Sequence, residues 1–252
     1  MSKISVTADV KNYRITLNDP PLNILDIEML EELRDAIANV KPDRHALIID
    51  AAGEKAFSAG ASVQDHLGER VVTMLDRFHD CFRRLAKLDL ITVALVRGAA
   101  LGGGCELAMA CDFVLASERA KFGQPEINLG VFPPVAAYQL SRLAPPRRGL
   151  ELLLTGDNVD APTAASLGLV NAVFPLAEFN ARAEEWLQRL YKQSASSLRL
   201  AKKAFRLAQN ADFDERLAAV ERLYLEELMK TSDANEGLAA FVEKRKPAWS
   251  GR

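Results

Sequence analysis

Three consecutive glycines restrict the fold of this chain more than any other feature of its sequence. They follow an apolar stretch typical of a buried strand, Ile91–Val96, and precede a helix-like segment with Glu106 in its first turn. Glycines at such a junction allow another group to approach the backbone and leave N–H donors uncovered. Because the first N–H groups of a helix carry partial positive charge, this junction is suited to binding an oxyanion. A tight turn with a solvent-facing glutamate is the alternative.

Strand and helix patterns alternate over the first part of the chain. Such alternation predicts an α/β core with parallel strand pairing. The predicted elements are a hairpin from Ile4–Ala8 and Tyr13–Leu17, a helix capped by Asp26, a helix over Val71–Leu88 with Leu75, Phe78, Phe82 and Leu85 on its apolar face, and buried strands at Ala46–Ile49, Ile91–Val96 and Phe113–Ala116.

From about Leu176 onward, helical patterns follow one another with few strand signals. The predicted helices cover Leu176–Lys192, Ser196–Gln209, Phe213–Met229 and Ala234–Lys244. We therefore divide the chain into an α/β part, residues 1–190, and a helical part, residues 191–252. The boundary is a change of architecture, because no low-complexity linker separates the two parts.

Composition and charge exclude several classes of protein. The formal net charge is −2 and the pI about 6.0, so the chain has no strong basic field to attract nucleic acid or anionic lipid. The first residues do not resemble a signal peptide, and no apolar run reaches the length of a membrane span. Cysteines that form no CxxC pair predict free thiols in a cytoplasmic protein. The histidines lack metal-ligand spacing, so we expect no metal site. These residues are Cys81, Cys105, Cys111, His45, His66 and His79.

Two further segments have the composition of a catalytic site. Lys55–Ala61 is a loop of small residues after a strand, and the N–H of Ala61 is a candidate second oxyanion donor. Phe122–Pro134 places Glu126 in an irregular Pro-Gly segment among apolar residues. Desolvation there would raise the pKa of Glu126 and favour a group that holds a proton. A glutamate at the rim, pointing to water, is the alternative.

Together these segments resemble the enoyl-CoA hydratase/isomerase (crotonase) superfamily. The resemblance continues through Leu154–Ala161 and Ala165–Val170 and ends at Phe241–Pro247, so it covers nearly the whole chain. It implies an α/β fold built as a spiral of ββα units, followed by a helical region used for trimerisation. Trimers or dimers of trimers are the implied assemblies.

The resemblance also implies roles for individual residues. Ala61 and Gly103 match the backbone N–H groups of the oxyanion hole, and Glu106 and Glu126 match the two glutamates of the hydratase branch. In that branch water adds to an α,β-unsaturated acyl-CoA thioester; CoA is part of the substrate, and no cofactor is implied. Water activation falls mainly to Glu106 and proton delivery mainly to Glu126. The implied CoA-binding residues are Lys55, Phe57 and Ala59, with Lys246 reaching CoA phosphates in its own or a neighbouring subunit.

The chain departs from ordinary hydratases in two segments. They read Gly60–His66 and Val131–Ala137, where other members carry Gly-Ala-Asp and a Pro-Gly-Gly-Gly run. Proline fixes φ and Val135 adds bulk, so the acyl pocket should have a stiffer wall. Both segments resemble cyclohexa-1,5-diene-1-carbonyl-CoA hydratases of aromatic degradation. The predicted acyl pocket comprises His66, Val131, Phe132 and Pro134, with Asp65 as a further candidate.

Other functions stay open at this point. A short-chain enoyl-CoA hydratase of fatty-acid β-oxidation fits the same glutamate pair, and an isomerase or thioester hydrolase would use the same oxyanion turns. A nucleic-acid-binding member of the superfamily is disfavoured by the mild acidity and the lack of a lysine-rich aromatic stripe.

Overall fold

The computed structural model describes residues 2–208, 226–227, 230–233, 236, 240 and 243–252. The strands in this part of the chain are β1 (Ile4–Ala8), β2 (Asn12–Leu17), β3 (Ala46–Ala51), β4 (Ala56–Ser58), β5 (Ile91–Val96), β6 (Ala99–Leu101), β7 (Phe113–Ser117), β8 (Lys121–Gly123), β9 (Asn158–Asp160) and β10 (Ala172–Phe174). The α-helices are α1 (Ile27–Ala38), α2 (Arg70–Lys87), α3 (Gly103–Met109), α4 (Pro134–Leu143), α5 (Pro146–Thr155), α6 (Ala161–Ser166), α7 (Phe179–Tyr191) and α8 (Ala195–Leu207). The helices predicted over Phe213–Met229 and Ala234–Lys244 lie almost entirely outside the described residues.

A large sheet has the strand order β1-β2-β3-β5-β7-β10. Strands β1 and β2 form the predicted antiparallel hairpin, and every other neighbouring pair is parallel. The turn of the hairpin is closed by Asp9, whose carboxylate accepts hydrogen bonds from the N–H groups of Lys11 and Asn12 at 2.6 and 2.7 Å. The predicted parallel pairing is therefore confirmed.

A small sheet has the order β4-β6-β8-β9, and each of its strands is three residues long. Strands β4, β6 and β8 are parallel, and β9 is antiparallel to β8. These strands were not predicted, because three residues are too few to establish an alternating pattern.

The two sheets are connected by a repeated unit. In β3–β4–α2 and β5–β6–α3 the first strand joins the large sheet, the second joins the small sheet, and a helix follows. Strands β7 and β8 repeat the same division. This succession confirms the predicted spiral of ββα units, and it brings the ends of β4, β6 and β8 side by side.

The central strands of the large sheet, β3 and β5, are buried on both faces, and alternate residues point to opposite faces. Leu47 and Ile49 belong to the core beneath α1, α2 and α3, whereas Ala46 and Ile48 belong to the core beneath α7. Helix α1 begins as predicted at Asp26, whose carboxylate accepts a hydrogen bond from Met29 N at 2.9 Å.

The buried face of α2 differs from the prediction. Met74 and Cys81 are buried together with Phe78 and Leu85, whereas Leu75 and Phe82 are only half-buried. The reason is the position of α1. It packs along one side of α2, so the buried face of α2 lies toward α1 and not along the predicted stripe.

The described C-terminal residues pack against the last two helices. Asp233 accepts hydrogen bonds from the N–H groups of Ser250 and Gly251, at 2.6 and 2.8 Å, and from the hydroxyl of Ser194 at 2.5 Å. Within the described ranges, no helix combines the length and the apolar character needed to cross a bilayer. The division of the chain at residue 190 remains a prediction.

Candidate active site

Two glycine-containing turns meet at the carboxyl ends of β4 and β6. Gly60 has a φ of +102°, and a Cβ built on it would lie 2.9 Å from the carbonyl oxygen of Leu101. A Cβ built on Gly104 would collide with the carbonyl group of Ser58. Glycine at these positions allows the backbones of the two turns to pack directly on each other.

The N–H groups predicted to bind an oxyanion are neighbours. A Cβ built on Gly103 would lie only 3.2 Å from the nitrogen of Ala61. Neither N–H is a donor in the backbone hydrogen bonds that connect the described loops and turns. Gly103 is also the first residue of α3, where N–H groups have no partner inside the helix. Two uncovered donors at this distance are arranged to share one oxyanion.

Glu106 is buried in the first turn of α3, with 2% of its surface exposed. Its Oε1 accepts a hydrogen bond from Ala136 N at 2.6 Å, and its backbone oxygen accepts one from Gln139 Nε2 at 3.1 Å. Both donors belong to α4, and Ala136 lies in the first turn of that helix. The glutamate therefore faces the N-terminus of a second helix, and the solvent-facing alternative is wrong.

Glu126 lies directly above the glycine turn. It follows β8 in a short 3-10 helix, Pro125–Leu129. A Cβ built on Gly102, which has a φ of +50°, would collide with the Glu126 carboxyl group. The Oε2 of Glu126 is buried and has no hydrogen-bond partner among the described residues. Glu126 therefore points into the site. Its carboxyl group lies against Gly102, the residue that precedes Gly103.

Burial raises the pKa values of both carboxyl groups. For Glu106 burial raises the pKa to about 8; the hydrogen bond from Ala136 N opposes this shift, and the charge of Glu126 adds to it. The pKa of Glu126 is raised by burial, which the backbone N–H of Glu126 and the charge of His66 oppose in part. Two adjacent carboxyls with raised pKa values titrate jointly and retain a proton near neutral pH.

His66 and Asp65 have different environments. His66 is half-buried, with Nδ1 2.8 Å from the carbonyl oxygen of Ser62, and it is near enough to Glu126 to affect its pKa. Asp65 is 2% exposed, forms an ion pair with Arg70 and accepts a hydrogen bond from Ile27 N at 3.1 Å. The carboxylate of Asp65 thus ties the start of α2 to the start of α1, and we assign it to the fold instead of the acyl pocket.

The predicted acyl-pocket wall is exposed at the surface beside Glu126. Val131 is 43% and Phe132 is 65% exposed, and Pro134 is exposed as the first residue of α4. Proline is favoured at this helix position because its fixed φ suits the first turn and it has no N–H to satisfy. The stiff wall that the sequence predicts is therefore also the start of the helix that binds Glu106.

The residues expected at the CoA moiety are not equivalent. Lys55 is exposed, and Ala59 is half-buried with its N–H bonded to the carbonyl oxygen of Leu22 at 2.9 Å. Phe57 is 1% exposed in the core, so only its main chain is available to a ligand. Lys246 is exposed in the C-terminal segment.

Three contacts at the site were absent from the sequence-based prediction. They are the Ala136 N–H bonded to Glu106, the Gln139 side chain bonded to the same residue, and the ring of Phe78 against Gly103. Proline before an apolar run is a signal of a helix start, which would have identified the first of these. The other two depend on how distant helices pack, which no local pattern shows.

Comparisons with known proteins identify the family to which this sequence is similar. The sequence model described as enoyl-CoA hydratase/isomerase matches residues 11–252. A cyclohexa-1,5-dienecarbonyl-CoA hydratase of Thauera aromatica is 38% identical, covering 99% of this chain and 97% of the relative. A probable enoyl-CoA hydratase of Mycobacterium tuberculosis is 39% identical, covering 99% and 98%.

Solved structures give the same result for the fold. The crystal structure of an enoyl-CoA hydratase from Bacillus anthracis superimposes with a TM-score of 0.92 and 33% identity, covering 99% of this chain and all of that one. The predicted fold and the predicted class of enzyme are thereby confirmed. With a family match that spans almost the entire sequence, this chain belongs to the enoyl-CoA hydratase/isomerase family.

Proposed function

We propose that this protein adds water to the carbon–carbon double bond of an α,β-unsaturated acyl-CoA thioester. The observation that carries the proposal is the placement of Glu106 and Glu126, two carboxyls with raised pKa values, on either side of the turn that presents the Gly103 N–H. Burying ionisable groups without full pairing costs stability, so their presence favours a chemical role.

The first requirement of the reaction is a place for negative charge. When water attacks the β-carbon, the electrons of the double bond move toward the thioester carbonyl, whose oxygen becomes an enolate oxygen. The N–H groups of Ala61 and Gly103 would donate to this oxygen. Loss of one such donor typically lowers kcat by about 10²–10³-fold.

The second requirement is the transfer of two protons. The reaction uses the form of the pair in which Glu126 holds the proton and Glu106 is ionised: as the water oxygen bonds to the β-carbon, Glu106 accepts one proton of that water, and Glu126 delivers its own proton to the α-carbon. The Ala136 N–H at the start of α4 favours the charged form of Glu106, whereas the unpaired Oε2 of Glu126 is free to hold a proton. The product carries one added H and one added OH, and proton exchange between the glutamates restores the site.

The substrate that we favour is cyclohexa-1,5-diene-1-carbonyl-CoA. Support comes from the segments Ala61–His66 and Gly130–Pro134 and from the similarity to the Thauera enzyme. A straight-chain enoyl-CoA of fatty-acid oxidation is the alternative, because a relative of equal similarity is named only as a probable enoyl-CoA hydratase, without a ring substrate. An isomerase reaction would use the same turns without adding water.

Turnover on two thioesters tests this proposal. Purified protein is supplied with crotonyl-CoA and with the cyclic dienoyl-CoA, and the products are weighed by mass spectrometry. We expect both products to gain one water and kcat/KM to be at least about tenfold higher for the cyclic thioester, a difference of 1.4 kcal/mol. Faster turnover of crotonyl-CoA would favour the straight-chain alternative, and an isomer of unchanged mass would contradict hydration.

The binding of CoA and the assembly complete the proposal. Lys55 and the main chain near Ala59 would hold the CoA moiety, and Lys246 would reach its phosphates in the same or a neighbouring subunit of a trimer or dimer of trimers. Lys246→Ala tests the CoA contact and should raise KM without lowering kcat. Light scattering tests the assembly and should give three or six subunits. The predicted cytoplasmic location stays a prediction.

A further inference from the structure

One flank of α2 borders the candidate active site. The opposite flank faces α1, where Arg77 Nε lies 3.1 Å from Glu31 Oε1. On the face of α2 between these flanks, the ring of Phe78 packs against Gly103. A Cβ built on this glycine would lie 2.9 Å from Phe78 Cε2. Because Gly103 presents an oxyanion donor, α2 forms part of the wall of the same site.

The flank turned away from α1 carries one polar side chain among apolar ones. Leu75, His79 and Phe82 recur there at helical spacing, and each is half-buried. The ring centroid of His79 is 6.0 Å from that of Phe78, the residue that touches Gly103. His79 therefore lies beside the residue that contacts the oxyanion turn, on an otherwise apolar flank of α2.

The Nε2 of His79 is buried and has no hydrogen-bond partner among the described residues. Buried side-chain atoms in the same condition occur on Glu126 itself, on Gln124 two residues before it, on Gln139, which bonds Glu106, and on Asn12 at the start of β2. The proposed reaction uses Glu126 but leaves His79 without a task. Because a buried polar atom without a partner is costly, its retention beside a binding site favours pairing with a ligand.

His79 is suited to pair with an uncharged group. Burial lowers its pKa, the charge of Arg83 lowers it further, and Asp76 opposes the shift. A neutral imidazole offers one donor and one acceptor, so it can bond either a hydroxyl or a keto oxygen. An alkyl group in the same place would leave Nε2 unpaired.

We propose that His79 is a specificity-determining residue that hydrogen-bonds an oxygen substituent on the acyl group of the thioester, beyond its β-carbon. This inference rests on the proposed function but differs from the hydrocarbon ring favoured above: whether the acyl group is a ring or a chain, an oxygenated one binds better than the matching hydrocarbon. Polar sites discriminate in this manner because an analogue without the oxygen leaves the buried partner unpaired.

Binding of saturated thioesters tests this inference separately from hydration, because these compounds have no double bond to hydrate. Calorimetry would compare hexanoyl-CoA with 6-hydroxyhexanoyl-CoA and 5-oxohexanoyl-CoA, and cyclohexanecarbonyl-CoA with its trans-4-hydroxy derivative. We expect at least one oxygenated compound to bind roughly five- to tenfold more tightly than its hydrocarbon partner, as one buried hydrogen bond would give.

Three variants assign this preference to His79. His79→Leu should remove the preference while binding the hydrocarbon thioesters as well as the wild type does, and His79→Gln should restore part of it. His45→Leu is the matched control, because His45 is also half-buried but bonds the carbonyl oxygen of Gln193. This control should keep the wild-type preference.

The inference is overturned if no oxygenated thioester binds more tightly than its hydrocarbon partner, or if His79→Leu keeps the preference. Failure of the proposed function is a different result, in which the protein binds the thioesters with this preference but adds no water to an unsaturated one. Absence of binding to all of the thioesters would contradict both proposals.

Discussion

Two buried carboxyl groups in different regions of this molecule, Asp233 and Glu106, have opposite environments. Asp233, beneath the C-terminal segment, is 1% exposed, and its bonds from Ser194, Ser250 and Gly251 outweigh the effect of burial and lower its pKa. Glu106, at the end of the small sheet, is 2% exposed, but one hydrogen bond to its carboxylate does not offset burial, and its pKa rises. A fully paired carboxylate stabilises the fold, whereas an under-paired one is available for proton transfer.

The largest effect should follow from changing the carboxyls of the active site. Glu106→Gln and Glu126→Gln should each lower kcat for hydration by about 10²–10⁴-fold, because each removes a group that exchanges protons with the reacting atoms. Steady-state rates with unchanged circular dichroism would check this. A variant that keeps wild-type turnover would remove that glutamate from the mechanism.

Gly103→Ala should have the next largest effect. The new Cβ would press on the ring of Phe78 and toward the nitrogen of Ala61, so the two oxyanion donors could not keep their positions. We expect kcat/KM to fall by about 10²-fold. Gly68→Ala is the control: Gly68, unlike Gly103, has a positive φ of +59°, but a Cβ there meets open space, so this variant adds backbone strain without a collision at the site. If both variants lose activity equally, a general loss of stability and not the displacement of the oxyanion donors explains the loss.

In the other region, Asp233→Ala should destabilise the fold by about 2–4 kcal/mol, because it leaves several buried donors unpaired. Urea unfolding at pH 7 would measure this. The lowered pKa of Asp233 also fixes the sign of its pH effect: its contribution is present above its unfolded pKa of about 3.8 and is lost as the pH falls. A variant as stable as the wild type at pH 7 would show that this carboxylate does not hold the C-terminal segment.

The smallest expected effect is on the pH dependence of stability, which should have opposite signs for Glu106 and Asp233. The folded protein holds a proton on Glu106 up to about pH 8, whereas the unfolded chain releases it near pH 4.5, so this group makes stability fall as the pH rises between these values. Glu106→Gln should remove that fall and be more stable than the wild type by roughly 2 kcal/mol at pH 8. Denaturant unfolding at pH 5 and pH 8 would test it; equal pH dependence in both proteins would contradict the raised pKa.

The parts of this fold differ in how far the sequence predicts them. The large sheet apart from β10, the start of α1 and the position of Glu106 follow from strand patterns, a capping aspartate and a glycine turn. The small sheet does not, because its strands are three residues long and are formed through tertiary contacts. The contacts of Phe78 with Gly103 and of Ala136 with Glu106 join residues far apart in the chain, so only the fold reveals them. Phe57 is the opposite case. The family resemblance assigns it to CoA binding by its position in the sequence, but its ring is buried in the core.

The central claim is that this site adds a molecule of water to the thioester, and labelled water tests it most directly. Crotonyl-CoA and the cyclic dienoyl-CoA would be incubated with the protein in ordinary water and in water enriched in oxygen-18, and the acyl-CoA products weighed by mass spectrometry. We expect each product to be heavier than its substrate by one water, with the oxygen of that water taken from the solvent. An isomer of unchanged mass, or release of free CoA, would contradict the claim.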